Sequence, residues 1–241
     1  MSATLIRYFA ILLSVLLGGF ALHGCGRATE SYFPLEKGWR WVYRIDLRTM
    51  DGSSHKKYTV ENLGRTALEA QAVSARRTGD GTTYYYRKDA NSVFRVGEAL
   101  PDEPTRLYPT PIIVLPTTAT LSSASWSKSE STVALQRAGS PKADALRKIT
   151  VQLQMHYVIQ SVDDDVVVPA GHFEHCLRVR GTGATEQDIG SHAGPTTIRA
   201  VSTEWFARGV GLIRAERVET TNSMIIPTGD FRMELEEFRR G

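Results

Sequence analysis

The densest run of side chains able to do chemistry is His172-Phe173-Glu174-His175-Cys176, with two imidazoles, a carboxylate and a thiol close together. Zinc takes Cys, His and carboxylate ligands, and a thiolate nucleophile needs an adjacent base. The spacing argues against both chemistries. On an extended strand His172, Glu174 and Cys176 share one face while Phe173, His175 and Leu177 share the other. The ligands therefore do not converge without a bulge, and His175 turns away from the thiol. The other histidines, His55, His156 and His192, add no ligand spacing. The expectation is a small, buried Cys176 among surface histidines, with no metal and no cofactor. Asp163-Asp164-Asp165 places its oxygens consecutively, without the alternation and distant bidentate partner of a calcium loop, and reads as a solvated turn. The chain has no Gly-x-Ser-x-Gly elbow and no phosphate-binding glycine loop after a strand. A non-enzymatic protein is expected, and an enzyme using Cys176 stays as a further reading.

The other chemistry on offer is binding by aromatic side chains. Trp39, Trp41 and Tyr43 alternate with Arg40, Val42 and Arg44, and Tyr157 stands in a second alternating run. Such a stripe either fills a closed core or lines a groove for an apolar ligand. Both readings remain open, with Trp39, Trp41, Tyr43 and Tyr157 as the candidate ligand-binding residues. The arginines on the opposite face read as solvated. A net charge of +3 over 241 residues is too small for a nucleic-acid footprint.

The elements that must carry these residues are strands. Trp39 to Arg48 and Ile149 to Gln160 alternate at period two, the mark of half-buried strands. Asp51-Gly52-Ser53, Gly79-Asp80-Gly81 and Pro169-Ala170-Gly171 punctuate further strand-like runs. Leu68 to Arg77, with its alanines, is compatible with helix or strand. Gly181 to Pro195 is glycine-rich and polar and reads as a loop. Five prolines between Gly97 and Pro116 exclude helix and central strand over most of it, so this segment is expected to be a crossover capping one end of the sheet, with a lid over a cavity as the alternative. The fold class is all-β: a single antiparallel, strongly curved sheet or half-barrel.

The N-terminus supplies an address. Arg7 precedes an apolar run from Tyr8 to Leu22, too short to span a bilayer comfortably, which is the layout of a secretory signal. Leu22-His23-Gly24-Cys25 resembles the bacterial lipobox, in which Cys25 is acylated and becomes the first mature residue; His23 departs from the small or aliphatic residue of that pattern. The expected organisation is a signal peptide over 1–24, a tether over 25–31 and one β domain over 32–241. Gly26 in place of aspartate resembles the outer-membrane class, so the domain is expected to face the periplasm. Ordinary cleavage giving a soluble periplasmic or secreted protein, with a Cys25–Cys176 disulfide open to it, is the alternative.

Three islands carry a wider resemblance. They are Tyr32-Phe33-Pro34-Leu35 with Gly38, Trp41 and Tyr43; Val168-Pro169-Ala170-Gly171 with Phe173, Cys176, Leu177 and Val179; and Gly209-Val210-Gly211-Leu212. Together they resemble the TapB-like family of bacterial envelope lipoproteins. The resemblance implies a curved antiparallel sheet and brings no catalytic residues. The expected function is a lipid-anchored binding module for an apolar ligand or a partner protein, or else a structural or assembly subunit of an envelope complex. Intact-mass measurement of the mature protein tests the address: the chain should begin at an acylated Cys25 and lose the lipid in Cys25→Ala. An unmodified N-terminus elsewhere would overturn it.

Overall fold

Alternation of apolar and polar residues recurs through most of the chain, and each such run becomes a strand. The computed structural model describes residues 31–49, 51–117, 121, 124–136, 148–188, 194–224, 226 and 228–241. Its twelve strands are β1 (Arg40–Thr49), β2 (Gly52–Leu68), β3 (Gln71–Thr78), β4 (Thr83–Lys88), β5 (Ser92–Ala99) and β6 (Arg106–Pro116), then β7 (Ser125–Ser131), β8 (Gln152–Val168), β9 (Gly171–Asp188), β10 (Pro195–Ala207), β11 (Gly211–Thr221) and β12 (Gly229–Arg239). They form one antiparallel sheet in the order β6-β5-β4-β3-β2-β1-β12-β11-β10-β9-β8-β7. The first strand pairs with the last, Trp41 opposite Phe238 and Ile45 opposite Met233, which joins the two halves of the chain. The sheet curls into a nearly closed barrel with one unsealed seam, between β6 and β7.

The proline-rich segment departs from the expected crossover. β5 and β6 are an antiparallel hairpin, and Pro109 and Pro111 lie within β6 itself. β6 ends the sheet, and on an edge a proline's missing N–H need cost no ladder bond. Leu68 to Arg77 is strand on both sides of a tight turn, with Glu69 and Ala70 at φ 45° and 63° and Leu68 paired with Gln71. The three aspartates do not end β8, which continues to Val168 through irregularities in register around Ser161 and Asp164.

Residues 181–188, expected as loop, belong to β9. Their glycines answer a packing need. Gly181 lies opposite Tyr157, and a Cβ there would stand 2.4 Å from the tyrosine ring. Gly183 makes the same room for Met155, whose sulfur would lie 2.5 Å from an added Cβ. Tyr157 and Met155 are both fully buried, so these glycines are the partners of large core side chains.

Both ends of the barrel are crossed by chain. At one end, Gly209 N–H donates to Ser31 C=O at 3.0 Å. From there the Tyr32–Leu35 segment runs to β2 and β3, where Asn62 Nδ2 and Arg76 Nη2 donate to Pro34 C=O at 3.1 and 2.6 Å. At the other end, Thr132 N–H donates to Val151 C=O at 2.9 Å and Ile149 N–H to Leu135 C=O at 3.0 Å, which makes a short two-stranded plug. Buried Glu219 of β11 holds this plug, accepting from Val133 N–H at 2.9 Å and Ala134 N–H at 2.8 Å.

Two substitutions probe this packing. Glu219→Ala strands two backbone donors and removes one of the two carboxylates that pair with Arg217, and should cost about 3–5 kcal/mol in chemical denaturation. Gly181→Ala drives a methyl group into the Tyr157 ring and should cost about 1–3 kcal/mol. Wild-type denaturation midpoints in both variants would refute these roles.

Candidate functional site

The aromatic stripe divides in two. Trp41 and Tyr43 are 2 % and 5 % exposed, and their polar atoms are spent inside the barrel: Trp41 Nε1 donates to Val210 C=O at 2.8 Å and Tyr43 Oη to Leu212 C=O at 3.0 Å. Burial pushes the Tyr43 phenol well above its ordinary range. Trp39, half-buried, rests against Trp41 with ring centroids 5.9 Å apart. The Arg76 guanidinium lies 4.2 Å from the Phe33 ring centroid and 4.9 Å from that of Trp41, held by cation–π contacts on two sides. Tyr157 belongs to a separate core cluster, stacked on Trp126 at 5.5 Å. The four aromatic candidates thus do not come together.

The three sequence islands do. Tyr32 to Leu35 meets the Gly209–Leu212 turn, where Gly211 has φ 98° and an added Cβ would stand 3.2 Å from Pro34. Tyr32 Oη donates to His175 C=O at 3.3 Å, and Ala170 N–H to Leu235 C=O at 3.0 Å. Cys176, Trp41, Tyr43 and Val210 share one buried cluster. The islands therefore build the closed end of the barrel.

Cys176 is fully buried, and burial first, then the nearby Asp164 and Asp165, pushes its thiol up to about 11. His172, His175, His156 and His55 are exposed. A positive φ of 54° at His175 marks a bulge between Phe173 and Cys176, which brings both of these into one cluster, while Leu177 is buried in the other. Among the described residues no three His, Cys, Asp or Glu side chains are placed to hold a metal ion. Cys25 and His192 lie outside the described residues.

The lower half of the stripe has a different fate. Ile45 and Leu47, the next inward positions of β1, line a cavity of about 630 Å³ between the β1–β2 hairpin, the start of β12 and the plug. Phe231 completes the apolar wall, and Lys56, Lys148 and several hydroxyl side chains supply the polar one. That volume lies within the range of small-molecule sites. The Glu219 carboxylate positions the plug side of the cavity, because Val133 is both its hydrogen-bond donor and a lining residue.

Beneath the plug lies a charged network. Glu130 pairs with Lys128 at 2.8 Å and with Arg217 at 2.6 Å, and Arg217 reaches Glu219 at 2.8 Å. Lys128 sits 4.3 Å from the Tyr157 ring centroid. Glu204 joins it on the inward face, opposite Val179. Burial pushes the Glu204 carboxyl up, against the attraction of Lys128. Glu130 is also desolvated, but Lys128 and Arg217 outweigh that and hold it below its ordinary range. β7 is serine-rich and polar in composition. The available signal was that Lys128 and Glu130 fall at period two from Trp126, and so on its face.

No family model matches the chain, and no curated protein matches it by sequence. A solved structure of a candidate lipoprotein from Parabacteroides distasonis is similar at TM-score 0.42 and 14 % identity, covering 88 % of this chain and 100 % of that one. A candidate exported protein with a YmcC-like fold from Bacteroides fragilis is similar at TM-score 0.41 and 13 % identity, with coverages of 88 % and 100 %. A candidate outer-membrane lipoprotein-sorting protein domain from Vibrio parahaemolyticus matches at TM-score 0.25 and 8 % identity, over 84 % of this chain and 85 % of that one.

The two carboxylates of the network predict opposite pH dependences. The raised Glu204 contributes stability that is full below the ordinary glutamate range and is lost as pH rises through its elevated pKa. Glu204→Gln should therefore gain stability over wild type as pH rises above the ordinary glutamate range. The depressed Glu130 contributes above its unfolded pKa and loses that contribution as pH falls, so the cost of Glu130→Gln should shrink in acid. Denaturation midpoints across pH check both; parallel curves for either variant would refute its assignment.

Proposed function

We propose that this chain is a non-enzymatic, lipid-anchored protein of the cell envelope whose β-barrel binds an apolar or amphipathic small ligand in the cavity beside the β1–β2 hairpin. The observation that carries the reading is the cavity itself. One end of the barrel is filled by Tyr32 to Leu35, while the apolar stripe of β1 continues past Tyr43 into open space lined by Ile45 and Leu47. Half-buried Leu47 and Phe231, beside buried Ile45, give the cavity an apolar wall that suits an apolar ligand. Binding is favoured over thiol chemistry because Cys176 is buried and burial holds its thiol protonated.

The anchor is Cys25, the compartment is the periplasmic side of the outer membrane, and the family is the TapB-like group. The meeting of the three islands in one closed end supports the last point, since the residues of the resemblance serve a single structural purpose.

The test uses the chain carrying Cys25→Ala, which keeps every other residue and dispenses with detergent. N-phenyl-1-naphthylamine, a neutral apolar probe, should gain fluorescence on binding. Ser54 faces Leu47 across the β1–β2 pair and is exposed, so Ser54→Trp fills the cavity without entering the core. It should weaken probe binding about tenfold, the loss of roughly 1.4 kcal/mol. Equal binding by a folded Ser54→Trp protein would place the ligand elsewhere and overturn the reading.

A further inference from the structure

The charges around the cavity specify the ligand further, on the footing of the binding role just proposed. Lys56 stands opposite Ile45 in the β1–β2 ladder and therefore on the same inward face. Lys148 comes from a different wall, the plug, where it bridges Gln136. Among the described residues neither lysine has a carboxylate within salt-bridge reach, whereas the adjacent Lys57 is paired with Glu236 at 3.1 Å. Asp51 is the acid of the lining, so the two lysines outnumber it and the lining carries a net positive charge. Two ammonium groups and one carboxylate thus share a cavity whose floor is Ile45, Leu47 and Phe231.

Like charges facing one space repel, and an oxyanion between them removes the repulsion while its apolar chain covers the floor. A neutral or cationic amphiphile leaves both charges unanswered. We infer that the cavity selects single-chain amphiphiles with an anionic head, a carboxylate or a phosphate ester, with Lys56 and Lys148 as the residues that determine the choice. A free fatty acid and a monoacyl phospholipid share this chemistry.

Titration calorimetry on the Cys25→Ala chain decides it with four ligands of equal chain length: dodecanoate, lauroyl lysophosphatidylglycerol, dodecanol and dodecyltrimethylammonium. At least one anion should bind about tenfold tighter than dodecanol, with the advantage falling as salt rises. The stronger of the two anions identifies the source, fatty acid or phospholipid. In the double variant Lys56→Gln, Lys148→Gln the advantage should vanish while dodecanol binding stays as in wild type, a control that the fold and floor are intact. Equal binding of all four ligands, or tighter binding of the ammonium compound, overturns the head-group inference and leaves the apolar cavity standing. Binding of none overturns both the inference and the proposed function.

Discussion

A single buried carboxylate holds the open end of this barrel in shape. Glu219 is fully buried and accepts from the backbone N–H groups of Val133 and Ala134 and from the Arg217 guanidinium. A buried charge is tolerable only when its lone pairs are answered; here Arg217 answers from the same strand, and the two backbone donors come from beyond β7, at the far edge of the sheet. β11 and β7 are four places apart in the sheet order, so this contact reaches across the barrel rather than along it. Packing completes the join: Gly229 lies against Ala134, whose carbonyl oxygen would stand 2.2 Å from any added Cβ. Without the Glu219 contact the plug would lose its anchor, and the cavity one of its walls.

The same economy of closure appears in the sheet. Pairing β1 with β12 makes the middle of the sheet the place where the first and last strands meet, and puts the two exposed edges, β6 and β7, side by side. An open edge invites pairing with other chains, and prolines within an edge strand are one of the ways proteins blunt it. Pro109 and Pro111 sit in β6 for which such an edge is the only tolerant position. The seam is thus a consequence of topology, and the proline-rich composition follows from it.

The division of the β1 stripe links fold to function. Trp41 and Tyr43 bury large rings and direct their polar tips to carbonyls of the β10–β11 connection, which makes them structural clamps. Two residues further, the identical alternation delivers Ile45 and Leu47 to a cavity with lysines on two walls. Nothing in the strand changes between these pairs. What differs is the covering: Tyr32 to Leu35 lies over one end, while the plug leaves room at the other.

The sequence by itself determined what depends on neighbours along the chain. Period-two alternation announced β1 and β8, and the prolines excluded a central strand. Tertiary structure decided whatever depends on residues far apart. Gly181 and Gly183 looked like loop because glycine's local meaning is flexibility, yet their use here is to admit Tyr157 and Met155 from the adjacent strand. The network of Lys128, Glu130, Arg217 and Glu219 also depends on tertiary structure, because side-chain type reports solvation cost but not the partner that offsets it. The cavity was invisible for a related reason: an alternating stripe specifies which face is apolar, and only the packing of the opposite wall determines whether that face is covered or left open.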